Sequence, residues 1–182
     1  MFEIGIQLRR ERGAENVFDF SLGNPEVEPP AAVIRALRRV VEENRPHTHG
    51  YMPNAGYPEV RSQLARGLAA STGLPFAAEH LIMTSGAAGA INTVLKSILD
   101  PGDEVIVLSP YFPEYRFYIE NHGGRVVPVE TTAGFLPDPD RIAAAVTPRT
   151  KALILNSPNN PTGRLYPAAV SVSYTHLTLP TN

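Results

Sequence analysis

Three short apolar runs, Leu81–Met83, Val105–Leu108 and Ala152–Leu155, carry no polar alternation, and helical patterns lie between them. A strand with one wet face alternates apolar and polar residues; one that is apolar throughout must be covered on both sides. Strands of this kind separated by helices predict an α/β chain: a mostly parallel sheet between two helical layers, in the three-layer α/β/α manner. A further strand is expected over Arg125–Val129, where Pro128 suggests an edge or irregular position.

Val33, Ile34, Leu37, Val40 and Val41 share one helical face, with Arg35, Arg38 and Arg39 off it, and this helix should stop before Pro46. Residues 45–56 read as loop. A second helix is expected to begin near Pro58, bury Val60, Leu64 and Leu68, and end at Gly73. A third follows Ser85-Gly86, carries Ile91, Val94, Leu95 and Ile98, and breaks at Asp100-Pro101-Gly102. Ile142–Val146 fits a short helix, with Asp138 and Asp140 about Pro139 reading as its start rather than as paired catalytic carboxylates. The opening through Phe20 gives no periodic signal.

Composition excludes several classes. The 182 residues contain no cysteine, which removes disulfide scaffolds, iron–sulfur sites, zinc ribbons and cysteine catalysis. A net charge of −2 offers no basic surface for nucleic acid or anionic lipid, and no apolar run reaches the roughly 20 residues of a membrane span. The first twelve residues do not form a signal peptide, so a cytoplasmic location is expected. His47 and His49 lack a carboxylate cluster beside them, so no metal site is expected; G-x-G-x-x-G, G-x-S-x-G and Walker patterns are also missing.

In an open α/β sheet, ligands bind beyond the carboxyl ends of the strands, and three distinctive loops fall there. Thr84–Ala90 is built of small residues and opens a helix, which suits either an anion on free amides or tight helix–strand packing. Pro110–Tyr115 places aromatics where they either stack on a planar ring or join the core. Asn156–Gly163 alternates asparagine with proline, a rigid loop that aims side-chain amides in fixed directions and exceeds what a plain turn needs.

Four motifs in order, Gly23-Asn24-Pro25, Tyr51-Met52-Pro53-Asn54-Ala55-Gly56, Ser85-Gly86-Ala87-Ala88-Gly89-Ala90 and Asn159-Asn160-Pro161-Thr162-Gly163, resemble those of the class I/II aminotransferases over roughly residues 18 to 168. These are fold-type I enzymes dependent on pyridoxal 5′-phosphate. The resemblance implies that Gly86, Ala87 and Ala88 cradle the cofactor phosphate. It further implies that Phe112 (or its neighbour Tyr111) stacks on the pyridine ring and that Asn160 hydrogen-bonds its phenolic oxygen. Gly23 would lie beside the substrate carboxylate, and Tyr51 would cross a homodimer interface to the partner's phosphate. Residues 1–48 would belong to the small domain and an interface arm, and 49–168 to the cofactor-binding large domain. The substrates implied are an α-amino acid and a 2-oxo acid; a carbon–sulfur β-lyase of the same fold and a non-catalytic phosphate- or nucleotide-binding module are the alternatives.

Such chemistry needs a Schiff-base lysine, and the sequence has only Lys96 and Lys151. Lys96 falls about nine residues into the phosphate helix, roughly 13 Å along its axis from the turn and off the apolar face. Lys151 opens a strand at the opposite sheet edge. No catalytic residue is therefore assigned, and the chain reads as the N-terminal portion of such an enzyme, inactive alone. Residues 169–182 break the pattern, resemble translated adapter sequence, and are expected to be a non-native tail.

Overall fold

A computed structural model describes residues 2–18, 23, 27–46 and 49–167. The expected tail at 169–182 and His47 lie outside the described residues. The chain divides into two compact units, 1–52 and 53–182.

In the first unit, α1 (Phe2–Arg12) forms where periodicity gave no signal. Its stabilisation is local: Glu3 in the first turn and Arg9, Arg10 and Arg12 in the last complement the helix dipole, and the Gln7 side chain donates to Glu11 at 2.7 Å. The amphipathic segment forms α2 (Ala31–Glu43), ending on Asn44 in the left-handed conformation, two residues short of Pro46. Its five apolar residues Val33, Ile34, Leu37, Val40 and Val41 are all exposed.

The second unit holds the sheet. It opens with α3 (Pro58–Thr72), which begins on its proline and ends at Gly73 as expected. Val60, Leu64 and Leu68 remain exposed, however, and only Ala65 of this helix is buried. The run Leu81–Met83 is not a strand: Leu81 N–H donates to Ala78 C=O at 3.1 Å and Met83 N–H to Ala55 C=O at 3.0 Å, with no ladder between strands, and Ile82 stays exposed. Apolar composition supplies a strand's side chains but not the neighbour its ladder needs.

From α4 (Gly86–Ile98) onward the expected alternation holds. It continues as β1 (Glu104–Ser109), α5 (Glu114–Glu120), β2 (Arg125–Glu130), α6 (Pro139–Ala145) and β3 (Thr150–Ile154). The three strands are parallel in the order β2-β1-β3, so Pro128 lies in an edge strand, opposite Val107. Central β1 divides its side chains between two cores. Val105 and Val107 pack with Leu95, Leu99, Tyr115 and Ile119 from α4 and α5; Ile106 and Leu108 pack with Val129 and with Ile142 from α6. This is the three-layer arrangement that an apolar strand without alternation demands. At the turn after α5, Gly124 is required by close approach: a Cβ there would lie 2.8 Å from Leu99 and 2.9 Å from Ile119.

Candidate functional site

The parallel sheet brings the carboxyl ends of β1 and β3 to one edge, and the second and third loops leave from there. They are bonded to each other. Asn159, 6% exposed, donates its side-chain amide to the Pro110 carbonyl at 3.2 Å and to the Thr162 hydroxyl at 3.0 Å. Its own backbone is clamped as well, donating to Arg164 C=O at 2.9 Å and accepting from Gly163 N–H at 2.7 Å. With Asn159 turned inward, its neighbour Asn160 is left exposed. The bonds preceding Pro110, Pro158 and Pro161 are cis.

In the second loop, Tyr111 and Phe112 are both half-buried against the β1–α4–α5 core. Phe112 meets Tyr115 edge-to-face, with centroids 5.7 Å apart and planes at 82°. Tyr115 is 9% exposed. Burial raises the Tyr115 hydroxyl above its ordinary pKa, and the Asn156 side chain offsets part of that. Tyr166, whose hydroxyl is buried without a partner, is raised by burial and by the neighbouring Tyr115.

The first loop starts α4. Gly86 has φ +71°, a conformation glycine adopts without strain, and its N–H donates to Thr84 C=O at 3.0 Å. The Thr84 hydroxyl in turn donates to Gly86 C=O at 3.0 Å. Ser85, the N-cap residue, makes no side-chain capping bond, so the amides of Ala87 and Ala88 lack intrahelical partners. Residues 86–88 are exposed. α4 passes through a turn at Asp100–Asp103 into β1, and Leu95 and Leu99 at its C-terminal end pack with Val105 and Val107. An uncapped helix start, a half-buried aromatic and an exposed amide beside a fixed one suit, in order, a phosphate, a planar ring and a ring oxygen.

Gly23 and Tyr51 belong to the other unit; both are exposed, and a Cβ at Gly23 would meet nothing within 4 Å. Lys96 is exposed on α4, and Lys151 sits at the start of β3 with its ammonium 4.0 Å from Asp103. Sequence reasoning did not single out Asn159 as the residue that holds the two loops together. Two adjacent asparagines announce an amide-rich loop, but which one turns inward is decided by a carbonyl 49 residues away.

Together, a doubly covered parallel sheet and two loops bonded to each other at its carboxyl edge define an α/β domain. The family model for aminotransferase class I and II matches residues 15–170, and the chain belongs to that family. It is 44% identical over 167 residues to an aspartate/prephenate aminotransferase of Thermus thermophilus, an alignment covering 91% of this chain and 42% of the relative. An aspartate aminotransferase of Geobacillus stearothermophilus is 35% identical, over 84% of this chain and 39% of its own length. Among solved structures, a Thermus thermophilus aspartate aminotransferase mutant superposes with TM-score 0.84 at 41% identity, covering 97% of this chain and 45% of that one. An amino transferase of Eubacterium rectale gives 0.87 at 35% identity, over 93% and 43%. The chain thus spans less than half the length of the relatives it matches.

Proposed function

We propose that the full-length protein transfers an amino group between an α-amino acid and a 2-oxo acid using pyridoxal 5′-phosphate, with aspartate a candidate donor from the names its relatives carry. The observation that carries this reading is the Asn159–Pro110 bond, which makes the asparagine loop and the aromatic loop one body at the ligand-binding edge. In this reading the amides of Gly86, Ala87 and Ala88 hold the phosphate with the α4 dipole behind them, and Phe112 stacks on the ring. Asn160 donates to the ring's phenolic oxygen, and Gly23 contributes backbone beside the substrate carboxylate. Tyr51, exposed on the first unit, serves the phosphate of the partner in a homodimer. Residues 1–48 supply part of the small domain and an interface arm. When bound, the cofactor supplies the electron sink for bond breaking at the amino acid's α-carbon.

Proton movement at that carbon needs a base, commonly a contribution of about 10²–10⁴ in rate. Neither Lys96 nor Lys151 meets the requirement, since one is solvated on α4 and the other lies at the opposite sheet edge. The lysine therefore comes from elsewhere in the full-length protein, and the 182-residue chain alone does not transaminate. Two arms test the reading. In the full-length protein, Asn160→Ala should shift the pH titration of the cofactor's visible absorbance while leaving thermal stability nearly unchanged. In the 182-residue chain, pyridoxal phosphate and borohydride should label neither lysine stoichiometrically. An unmoved titration, or stoichiometric labelling of Lys96 or Lys151 accompanied by turnover, would overturn it.

A further inference from the structure

Within residues 156–163 only Asn159 is buried, at 6% exposure. Its Nδ2 donates one hydrogen to the Pro110 carbonyl, two residues before Phe112, and the other to the Thr162 hydroxyl. Both hydrogens of the amide are thereby used, one between the loops and one within its own. Its backbone is held as well, since the N–H donates to Arg164 C=O and the C=O accepts from Gly163 N–H. A fixed carbonyl fixes the planar peptide that leads into Asn160. In the aromatic loop, Phe112 is held by Tyr115, through the edge-to-face ring contact and through the Tyr115 N–H on its carbonyl at 3.0 Å. The Asn159–Pro110 bond therefore joins a segment leading straight into Asn160 to one leading straight into Phe112.

We propose that Asn159 is a positioning residue: its hydrogen bond to the Pro110 carbonyl sets where the Asn160 side chain stands relative to the Phe112 ring. The inference rests on the pyridoxal-phosphate reading for what Asn160 and Phe112 touch, but not for the tie between their loops. A merely structural Asn159 would brace its own turn through Thr162, and the effect of its loss would stay within that loop. A positioning Asn159 acts on both loops at once, and on the cofactor through Asn160. Thr162→Val separates the two roles, because it removes the bond within the loop and leaves the one to Pro110.

The test uses the full-length protein. Without cofactor, hydrogen exchange is followed at the amides of Gly163 in the asparagine loop and Tyr115 in the aromatic loop, with Ile106 and Leu108 of β1 as the reference. Asn159→Ala should speed exchange at both by roughly 3–10-fold, the ratio expected for one hydrogen bond, and leave β1 unchanged. Thr162→Val should speed Gly163 alone. With cofactor, Asn159→Ala should move the pH titration of its absorbance in the direction that Asn160→Ala does, by a smaller amount, whereas Thr162→Val should leave it in place. Adding Asn159→Ala to Asn160→Ala should move it no further, since the one residue acts through the other. Should β1 exchange quicken too, Asn159→Ser, which keeps a hydroxyl at the buried position, replaces Asn159→Ala in both arms. Unchanged exchange at Tyr115 overturns the tie between the loops. An unmoved titration, one moved as far by Thr162→Val, or additive shifts in the double variant overturns the positioning role. A wild-type protein that binds no pyridoxal phosphate overturns the cofactor reading instead, and the exchange arm still judges the tie.

Discussion

Glu104, the first residue of β1, is a carboxylate buried to 6% exposure at the amino edge of the sheet, the end opposite the aromatic and asparagine loops. The Thr147 hydroxyl donates to its Oε2 at 2.6 Å, Arg149 donates to Oε1 at 3.4 Å, and Arg125 stands 4.0 Å away. Foremost the Thr147 bond, and after it the two arginines, hold the carboxyl below its usual range even though burial works the other way. The folded pKa lies below the unfolded one, so this stabilisation is present above the unfolded value near 4.5 and is lost as pH falls through the folded value. Glu104→Gln should therefore cost roughly 1–3 kcal/mol at pH 7, and the gap between variant and wild type should narrow below about pH 4. Denaturant midpoints at the two pH values check this; a gap of constant size would refute it. Nothing near Glu104 in the sequence announces partners 43 and 45 residues downstream, and the choice between Asn159 and Asn160 was hidden for the same reason. What was legible at this scale was local: Asp138 was recognised because its partners are two and three residues away.

That aspartate matters most for the element it starts. α6 is short, yet among the described helices it is the one that covers the second face of the sheet, through the fully buried Ile142. Asp138 accepts from the amides of Asp140 at 3.1 Å and Arg141 at 3.3 Å, and also pairs with the Arg141 side chain at 3.1 Å. Asp138→Ala should lower stability by about 1 kcal/mol, and Asp138→Ser should recover most of it. Thermal midpoints of the two variants compare them directly, and equal loss in both would show that the cap is not the cause. Elements whose signal is intrinsic were read correctly: β1, β2, β3, α4 and α6 each announce themselves by apolar runs, breakers or caps. α1 was missed because Ile4 and Ile6 are two apart and trace no helical face. The strand expected at Leu81–Met83 failed for the converse reason, since its side chains are right but no described strand lies beside it.

At the scale of the whole molecule, Tyr51 tests how the protein assembles. If Tyr51 completes the partner's site, a dimer of one Tyr51→Phe subunit and one subunit lacking the Schiff-base lysine should retain about one intact site. If Tyr51 serves its own subunit, neither site of that mixed dimer is complete, and cofactor retention and turnover should both vanish. The sheet itself carries a further consequence. The Asn159–Pro110 bond closes 49 residues of chain, an entropic cost of about 3 kcal/mol from loop length alone. It cannot form until β3 has docked beside β1, after the chain has crossed both faces of the sheet. The joined loop pair thus depends on long-range strand order rather than on local helix content.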